Sequence, residues 1–500
     1  MSQAADIVIV GSGMGGATMA AALAPSGRQI VILERGHALH DSPAARDDNA
    51  IFRDGVFRPQ ETWLDGQGTA FNPGNYYNVG GNSKFYGAVL LRYRAEDFEA
   101  MQHLEGVSPA WPISYAEMEP WYQAAEDMFG VAGDHLQDPT EPWHSGGYPN
   151  RPIADEPSIA AMRNGLRRAG VTPAALPLAI DIDAWLARAK TPWDAFPDTT
   201  GAKKDAQTVP LEQALAFDNV TLETDCEVAQ LHPAANGEIT SISYRQNGAS
   251  KTITPKTVVL AAGAVNSAAL LLRSATDAYP TGLANRSDMV GRNFMNHNCT
   301  AVVAMHPLRK NTSVYQKTLQ FNDFYLSGGP NDMPLGNVQL LGKISGNILA
   351  AQSHLPKWAA KLVAQRTVDW YVMSEDLPNP ESRVTVKNGQ ICLDWKRSNW
   401  RAHLALVKRA KQVFRKAGYP LVLSRAFDRQ TPSHQCGTAR FGQDPNNTVL
   451  DLHCQAHDHP NLYVVDASFL PTSAAVNPAL TIAAQALRVG GYLREKLGAA

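Results

Sequence analysis

The chain has 500 residues, 44% of them hydrophobic and 18% charged, a composition suited to a globular protein with a large buried core. Its formal net charge of -2 supplies no field of one sign that would draw in nucleic acid or a membrane surface. The five cysteines, Cys226, Cys299, Cys392, Cys436 and Cys454, form no C-x-x-C pair, which argues against a disulfide framework or a zinc site and for reduced thiols in a reducing compartment.

At the start, Asp6 sits where an export signal would carry Lys or Arg, and the apolar run is soon broken by glycines, so a soluble chain without a targeting segment is expected. Ile7 to Val10 is a continuous apolar run, the pattern of a parallel strand buried on both faces. Met14 to Leu23, rich in small residues, predicts a helix closed by Gly27, and QIVILE (29–34) predicts the second strand. Together they make a βαβ unit of about 30 residues. Between strand and helix lies Gly11-x-Gly13-x-x-Gly16, with Gly15 inside it. The first glycine permits the tight turn, the second lets the backbone approach a pyrophosphate, and the third lets helix and strand pack closely. Glu34 ends the second strand, where a carboxylate would hold ribose hydroxyls. A carboxylate there argues against a 2′-phosphate. Arg35 beside it is either a cofactor contact or a surface charge.

Residues 45–85 are rich in Gly, Asn, Pro and aromatics without periodicity, which predicts a functional loop wrapping a cofactor or forming a lid. Its Trp63, Phe71, Tyr76 and Tyr77 suit either stacking on a sugar ring or core packing. Residues 113–130 predict a helix with Ser114 as N-cap and Glu117 completing a capping box, and 131–160 predict a loop. Residues 207–274 predict strands and then a helix from about Ser267. Residues 301–395, in short alternating runs, predict an antiparallel sheet. Residues 401–417 predict a basic amphipathic helix that buries Leu404, Val407, Ala410 and Phe414. A nicotinamide enzyme would continue in regular βαβ units. Here the second glycine-ended strand, VVLAAGAVNS, comes only at 258–267, which suits a discontinuous FAD domain interrupted by a substrate domain.

Four segments carry a family pattern: NVGGNSKFYGAVLLR (78–92), AAGAVNSAALLLRS (261–274), VGRNFMNH (290–297), and HQCGTARFG (434–442) with VVDASFLPTSAAVNPALTIAAQAL (464–487). They resemble the glucose–methanol–choline (GMC) oxidoreductases over nearly the whole chain, and WPISYAEMEPWY and SEDLPNPESRV resemble bacterial sugar-dehydrogenase members. The resemblance implies an α/β protein, α+β overall. A Rossmann-like FAD-binding domain would comprise 1–100, 205–300 and 432–500, with an inserted antiparallel-sheet substrate domain over 101–204 and 301–431. It places Gly80, Gly81, Asn82 and Ser83 along the flavin and pyrophosphate, Val228 at the adenine, and Asp466 and Ala467 at the ribityl chain and pyrophosphate. It makes His434 the catalytic histidine and Asn477 its partner. Phe85 stands where members with covalently bound flavin carry a histidine, so non-covalent FAD is expected. Tyr86 replaces an asparagine, Ala268 a proline and Asn296 an aspartate of the pattern.

These positions suit the oxidation of an alcohol. An imidazole, with an ordinary pKa of about 6.5, can take the hydroxyl proton, and an amide can hold the substrate oxygen. Pro478 opens the helix that follows Asn477, and its N-terminus would stabilise negative charge on the reduced flavin. The other histidines, among them His297, His453 and His457, read as structural, and Cys436 reads as packing. The expected reaction is FAD-dependent oxidation of a CH–OH group in a sugar, glycoside or polyol. A sterol or other apolar alcohol oxidase is one alternative, and a non-catalytic flavin-binding subunit another. The electron acceptor is oxygen, a quinone or a redox partner. No metal site, nucleic acid or membrane span is expected. The expected location is the cytoplasm, or the periplasm if the chain is co-exported with a small signal-bearing subunit.

Overall fold

The computed structural model describes residues 3–188, 196–353, 355–428, 430 and 434–498. The first sheet holds β1 (Gln3–Val10), β2 (Ile30–Leu33), β3 (Val220–Glu223), β4 (Cys226–Pro233), β5 (Ile239–Gln246) and β6 (Ala249–Leu260), with the late strand Leu462–Val464. Its order is β3-β2-β1-β6-β5-β4, and the late strand also pairs with β6. The β3, β2, β1 and β6 neighbours run parallel, Ile7 pairing with Ile30 and with Thr257. The apolar run of β1 explains this placement, because Ile7, Val8 and Ile9 are wholly buried between layers on both faces. β6 is long because it does two jobs. Its first half forms an antiparallel hairpin with β5, and its last residues, Val258 to Leu260, pair in parallel with the late strand.

Among the helices are α1 (Met14–Leu23), α2 (Tyr115–Phe129), α3 (Ala264–Arg273), α4 (Lys357–Ala364), α5 (Trp400–Lys416) and α6 (Ala479–Lys496). α2 starts with the expected capping box between Ser114 and Glu117. α3 begins three residues earlier than the sequence suggests, directly after Gly263 in its left-handed conformation. Residues 207–215 are helical, not the expected strand, and the strands begin at Val220; TDCEVAQL is broken at Asp225, whose φ is 57°, so β3 and β4 are separate.

The second sheet holds β7 (Asn298–Met305), β8 (Leu319–Phe321), β9 (Asn337–Leu340), β10 (Thr367–Ser374) and β11 (Leu421–Ala426), in the order β11-β7-β10-β9-β8, with the short strand Ala174–Ala175 beyond β8. Every pairing in it is antiparallel. Alternation splits its side chains by face. Val302, Phe321, Val338, Val368, Trp370 and Val372 pack in one apolar cluster with α5 and the helix Pro157–Ala169. The opposite face carries Gln320, Gln339 and Tyr371, which stand opposite one another across the strands and form one row.

α5 departs from the expected stripe. Leu404 is 50% exposed, and the buried positions are Ala402, His403, Leu406, Val407, Ala410, Val413 and Phe414. His403 turns inward because Thr300 Oγ1 and Ser374 Oγ satisfy its two ring nitrogens at 2.7 and 3.0 Å.

Candidate active site

The turn after β1 shows why each glycine is there. Gly11 has φ 99°, a conformation that side chains resist, and a β-carbon on it would lie 2.4 Å from the Ala261 carbonyl oxygen. A β-carbon on Gly15 would lie 2.1 Å from the Val465 carbonyl oxygen, and one on Gly16 2.0 Å from that of Gly11. Gly13 differs: a β-carbon there meets nothing within 4 Å. Gly13 is also the N-cap of α1 and supplies no side-chain cap, so the first amides of the helix face open space. A β-carbon on Gly81 would find only the Gly13 Cα, at 3.6 Å. The two loops thus border one gap lined by backbone, the shape and polarity a pyrophosphate requires.

Glu34 closes one side of this gap. Its carboxylate is buried and accepts bonds from Ser12 N (2.9 Å), Ser12 Oγ (2.7 Å) and Gly36 N (2.9 Å). Ser12 Oγ in turn accepts from Gly80 N at 3.1 Å, so the acid, the turn and the second glycine loop form one connected unit. Oε1 keeps acceptor capacity for a ribose hydroxyl. Burial raises the Glu34 pKa, against the hydrogen bonds from Gly36 and Ser12. These residues fit an adenine dinucleotide such as FAD.

Other predicted cofactor residues shape the cradle with their side chains. Asn82 Oδ1 accepts from Tyr76 N at 2.8 Å, and Ser83 Oγ donates to Gly80 O at 2.6 Å. Asp466 accepts from Gly263 N at 3.0 Å, Ser267 Oγ at 2.5 Å and Ser468 N at 2.8 Å, which leaves its backbone to border α1 at Gly15. Ala467 accepts from Gly437 N at 3.1 Å. Val228 lies on β4, the edge strand, two residues past Cys226, whose N donates to Glu34 O. Arg35 lies across the Tyr77 ring at 4.2 Å and pairs with Glu61 and Glu227 at 3.3 and 3.6 Å. Phe85 stacks on Tyr76 with centroids 3.8 Å apart. Tyr86 donates its hydroxyl to the Lys204 carbonyl. Trp63 and Phe71 are buried against each other in the core.

The second part of the site assembles around a short antiparallel contact. Met295 and Cys436 exchange both backbone hydrogen bonds, at 3.0 and 2.9 Å. This registration places His297, two residues after Met295, opposite His434, two residues before Cys436. Their Nδ1 atoms are 3.0 Å apart. On its other side, His297 Nε2 lies 2.8 Å from Ser473 O and 2.9 Å from Ala474 O. Carbonyl oxygens only accept, so His297 Nε2 carries a proton. Burial lowers the His297 pKa to about 4, so the ring is neutral and its Nδ1 is an acceptor. His434 Nδ1 must then carry the proton between the rings, and His434 Nε2 is left with a free lone pair. His434 is half-buried, and desolvation, with the nearby His297 and Lys317, holds its pKa well below the ordinary value.

Asn477 lies at that lone pair, its Nδ2 3.5 Å from His434 Nε2. Its Oδ1 accepts from Gln339 Nε2 at 2.8 Å, which turns the amide donors toward the histidine. Gln339 Oε1 is buried without a hydrogen-bond partner among the described residues. Pro478 is the N-cap of α6, and no side chain caps that helix. Buried anchors hold the preceding segment: Tyr93 Oη donates to Ser473 O, Trp111 Nε1 to Thr472 Oγ1, and Ala475 N to Tyr325 Oη, at 2.9, 3.0 and 3.1 Å. Sequence reasoning grouped His297 with the structural histidines; it is instead the partner of His434. His453, stacked on Tyr492, and His457, bonded to Thr448, do have structural surroundings. Cys436 contributes its backbone, and burial pushes its thiol pKa well above the ordinary value.

Two family models described as GMC oxidoreductase match residues 5–299 and 378–486. The chain is 30% identical to the 6'''-hydroxyparomomycin C oxidase of Streptomyces lividus, over 99% of this chain and 92% of that protein. It is 29% identical to the paromamine 6'-oxidase of Streptomyces fradiae, over 97% of this chain and 90% of that one. In fold it is similar to a pyridoxine 4-oxidase from Mesorbium loti, with a TM-score of 0.68, 19% identity, and coverage of 98% of this chain and 99% of that one.

Proposed function

From the chain's membership of the GMC oxidoreductase family, with FAD as its cofactor, we propose that it oxidises a CH–OH group of a sugar, glycoside or related polyol, with His434 as the base. The observation that carries this reading is the proton order along Ser473/Ala474, His297, His434 and Asn477. It leaves one lone pair, on His434 Nε2, whose partner is the amide donor Asn477 Nδ2 in a long contact of 3.5 Å.

An alcohol oxygen between these two atoms donates its proton to His434 Nε2 and accepts from Asn477 Nδ2. Such a pair holds the oxygen in one orientation and removes the proton without an ionised side chain in the site. When bound, FAD supplies the acceptor for the hydride leaving the carbon. The uncapped N-terminus of α6 places partial positive charge beside the site, which favours negative charge developing there. A polar substrate is supported by the unpaired Gln339 Oε1 next to Asn477, since a buried acceptor without a partner rewards a second hydroxyl and penalises an apolar surface. The relatives named as oxidases of 6'''-hydroxyparomomycin C and paromamine support a hydroxylated small molecule as well. FAD is held non-covalently in this reading, because Phe85 offers no nucleophile where a flavin-linked histidine would stand.

The test is anaerobic flavin bleaching by a panel of sugars, glycosides, polyols and a sterol, repeated with oxygen or a quinone dye as acceptor. Bleaching by the polyhydroxylated compounds is expected. Bleaching by the sterol alone would assign the site to apolar alcohols, and no bleaching by any compound would reduce the chain to a flavin carrier.

A further inference from the structure

α4 is turned inside out relative to an ordinary surface helix. Its inward positions are the small residues Ala360 and Ala364, both buried, while Trp358 and Leu362 point outward with 68% and 47% of their surface exposed. A surface helix normally does the reverse. The neighbouring elements extend this face. Arg366 donates to Pro307 O and Asn311 N donates to Gln365 O, which lays the 306–311 turn along the end of α4. Leu308, at the tip of that turn, is 87% exposed. Met305 pairs with Leu421 on the edge strand β11, and Arg425 of β11 reaches Gln352 just before α4. Leu421 and Leu423, on the same side of β11 as Arg425, are exposed too.

The exposed charged side chains of α4 and the 306–311 turn are Lys and Arg. Residues 305–311, 352–366 and 421–425, the stretches joined at this face, contain no Asp or Glu. Arg309, Lys310, Lys357 and Lys361 are exposed there, and none of them enters an ion pair among the described residues. Acidic side chains meet the neighbouring stretches from other elements: Asp48 bonds Ser345 and Asn347 at the start of the helix Gly346–Ala351, and Glu156 accepts from Val314 N and Tyr315 N beyond the 306–311 turn. A chain of net charge -2 thus carries a local cationic patch studded with protruding Trp and Leu.

We propose that this face docks the protein peripherally on an anionic lipid surface, with Trp358, Leu362 and Leu308 entering the headgroup layer and the lysines and arginines facing lipid phosphates. Aromatic and aliphatic side chains flanked by Lys and Arg are the composition that partitions to that interface. Self-association through the same face would set Lys357 and Lys361 of two copies against each other, like charge on like charge. No helix among the described residues is long and apolar enough to cross a membrane, so the contact is a docking and not a span.

The FAD-loaded full chain is mixed with vesicles of phosphatidylcholine containing about one quarter phosphatidylglycerol, and with vesicles of phosphatidylcholine alone, then sedimented. Binding to the anionic vesicles is expected, at least about ten-fold stronger than to the neutral ones and weakened by about 0.5 M salt. Trp358→Ser with Leu362→Ser, and separately Lys357→Glu with Lys361→Glu, are each expected to lower binding at least about ten-fold, with FAD content and dye-linked activity in solution unchanged. The second pair lies wholly on the surface and keeps the test decisive if the first disturbs folding. The proposal is overturned if the wild type stays in the supernatant or if both double variants still sediment. It is equally overturned if the variants only convert a larger oligomer into a smaller one, which would give the face to a second copy.

Discussion

His434 has φ 67°, a left-handed conformation that costs a residue with a β-carbon on the order of 1–3 kcal/mol and persists only where its surroundings enforce it. The enforcement comes from the Met295–Cys436 contact and from Gly437, whose missing β-carbon would lie 2.5 Å from Asn293 O. Because the backbone holds this position, His434→Ala should keep the fold and the FAD. Anaerobic flavin reduction by substrate should slow by about 10²–10⁴-fold, the usual contribution of a positioned base. Asn477→Ala should slow the same step, and the double variant should be less than additive because both side chains act on one oxygen. Stopped-flow rates within a few-fold of the parent would remove His434 from the mechanism. His297→Ala should also slow reduction, by less, since the base survives but its tautomer is no longer fixed. The pH profile checks the same arrangement. Desolvation lowers both imidazole pKa values, so the neutral base persists as pH falls through the ordinary value of about 6.5. The rate of reduction should therefore stay level from about pH 8 to 6.5 and fall only at lower pH. An acid limb centred at 6.5 or above would contradict the desolvation of the pair.

The glycine turn makes a sharper claim, because its four glycines serve different ends. Gly13→Ala places a methyl where no protein atom lies within 4 Å, on a backbone with φ -70° that any residue accepts. The apoprotein should melt at an unchanged temperature while FAD affinity falls. Gly16→Ala places a methyl 2.0 Å from a carbonyl oxygen and should destabilise the apoprotein by about 1–3 kcal/mol, as overpacking does. Equal effects of the two on apoprotein melting would refute this division. The turn, α1 and Glu34 were readable from sequence because strand, glycines, helix and acid follow one another within the first 34 residues. The role of His297 was not, because it depends on a backbone contact between segments 137 residues apart. The signal was nonetheless present: both segments belong to the family pattern, and an antiparallel Met295–Cys436 pairing sets positions 297 and 434 opposite each other. The phase of α5 was misread for a related reason. Counting only apolar residues put Leu404 inside, while His403, polar by composition, is buried against Thr300 and Ser374.

Across the whole molecule, the cradle draws on segments far apart in the chain: the turn at 11–16, Glu34, the loop at 80–83, the start of α3 at Gly263 and the stretch from Val465 to Ala467. The second glycine loop is further fixed from outside, where buried Lys84 pairs with Asp205 at 2.9 Å and Lys203 donates to Lys84 O at 2.7 Å. The protein itself joins these segments through the ends of the paired strands and a few side-chain hydrogen bonds, and a dinucleotide in the gap would touch most of them at once. FAD should therefore act as a tether between parts of the chain that unfolding separates. A ligand that binds only the folded state stabilises it by RT ln(1 + [L]/Kd), about 2.7 kcal/mol at a hundred-fold excess over Kd. The apoprotein should thus melt at a temperature that rises with FAD concentration. Acid precipitation of the loaded protein should release intact FAD into the supernatant, since Phe85 stacks on Tyr76 and offers no point of attachment. Glu34→Gln resolves which part of the tether the acid supplies. It keeps the size of the side chain but places an NH2 group against Ser12 N, Ser12 Oγ or Gly36 N, all donors to the wild-type carboxylate, so the apoprotein itself should melt somewhat lower. Its increment on adding FAD should shrink as well, by about 1–3 kcal/mol in binding, through the weakened ribose contact. An FAD-dependent increment equal to that of the wild type would show that Glu34 holds the turn alone and does not reach the ribose.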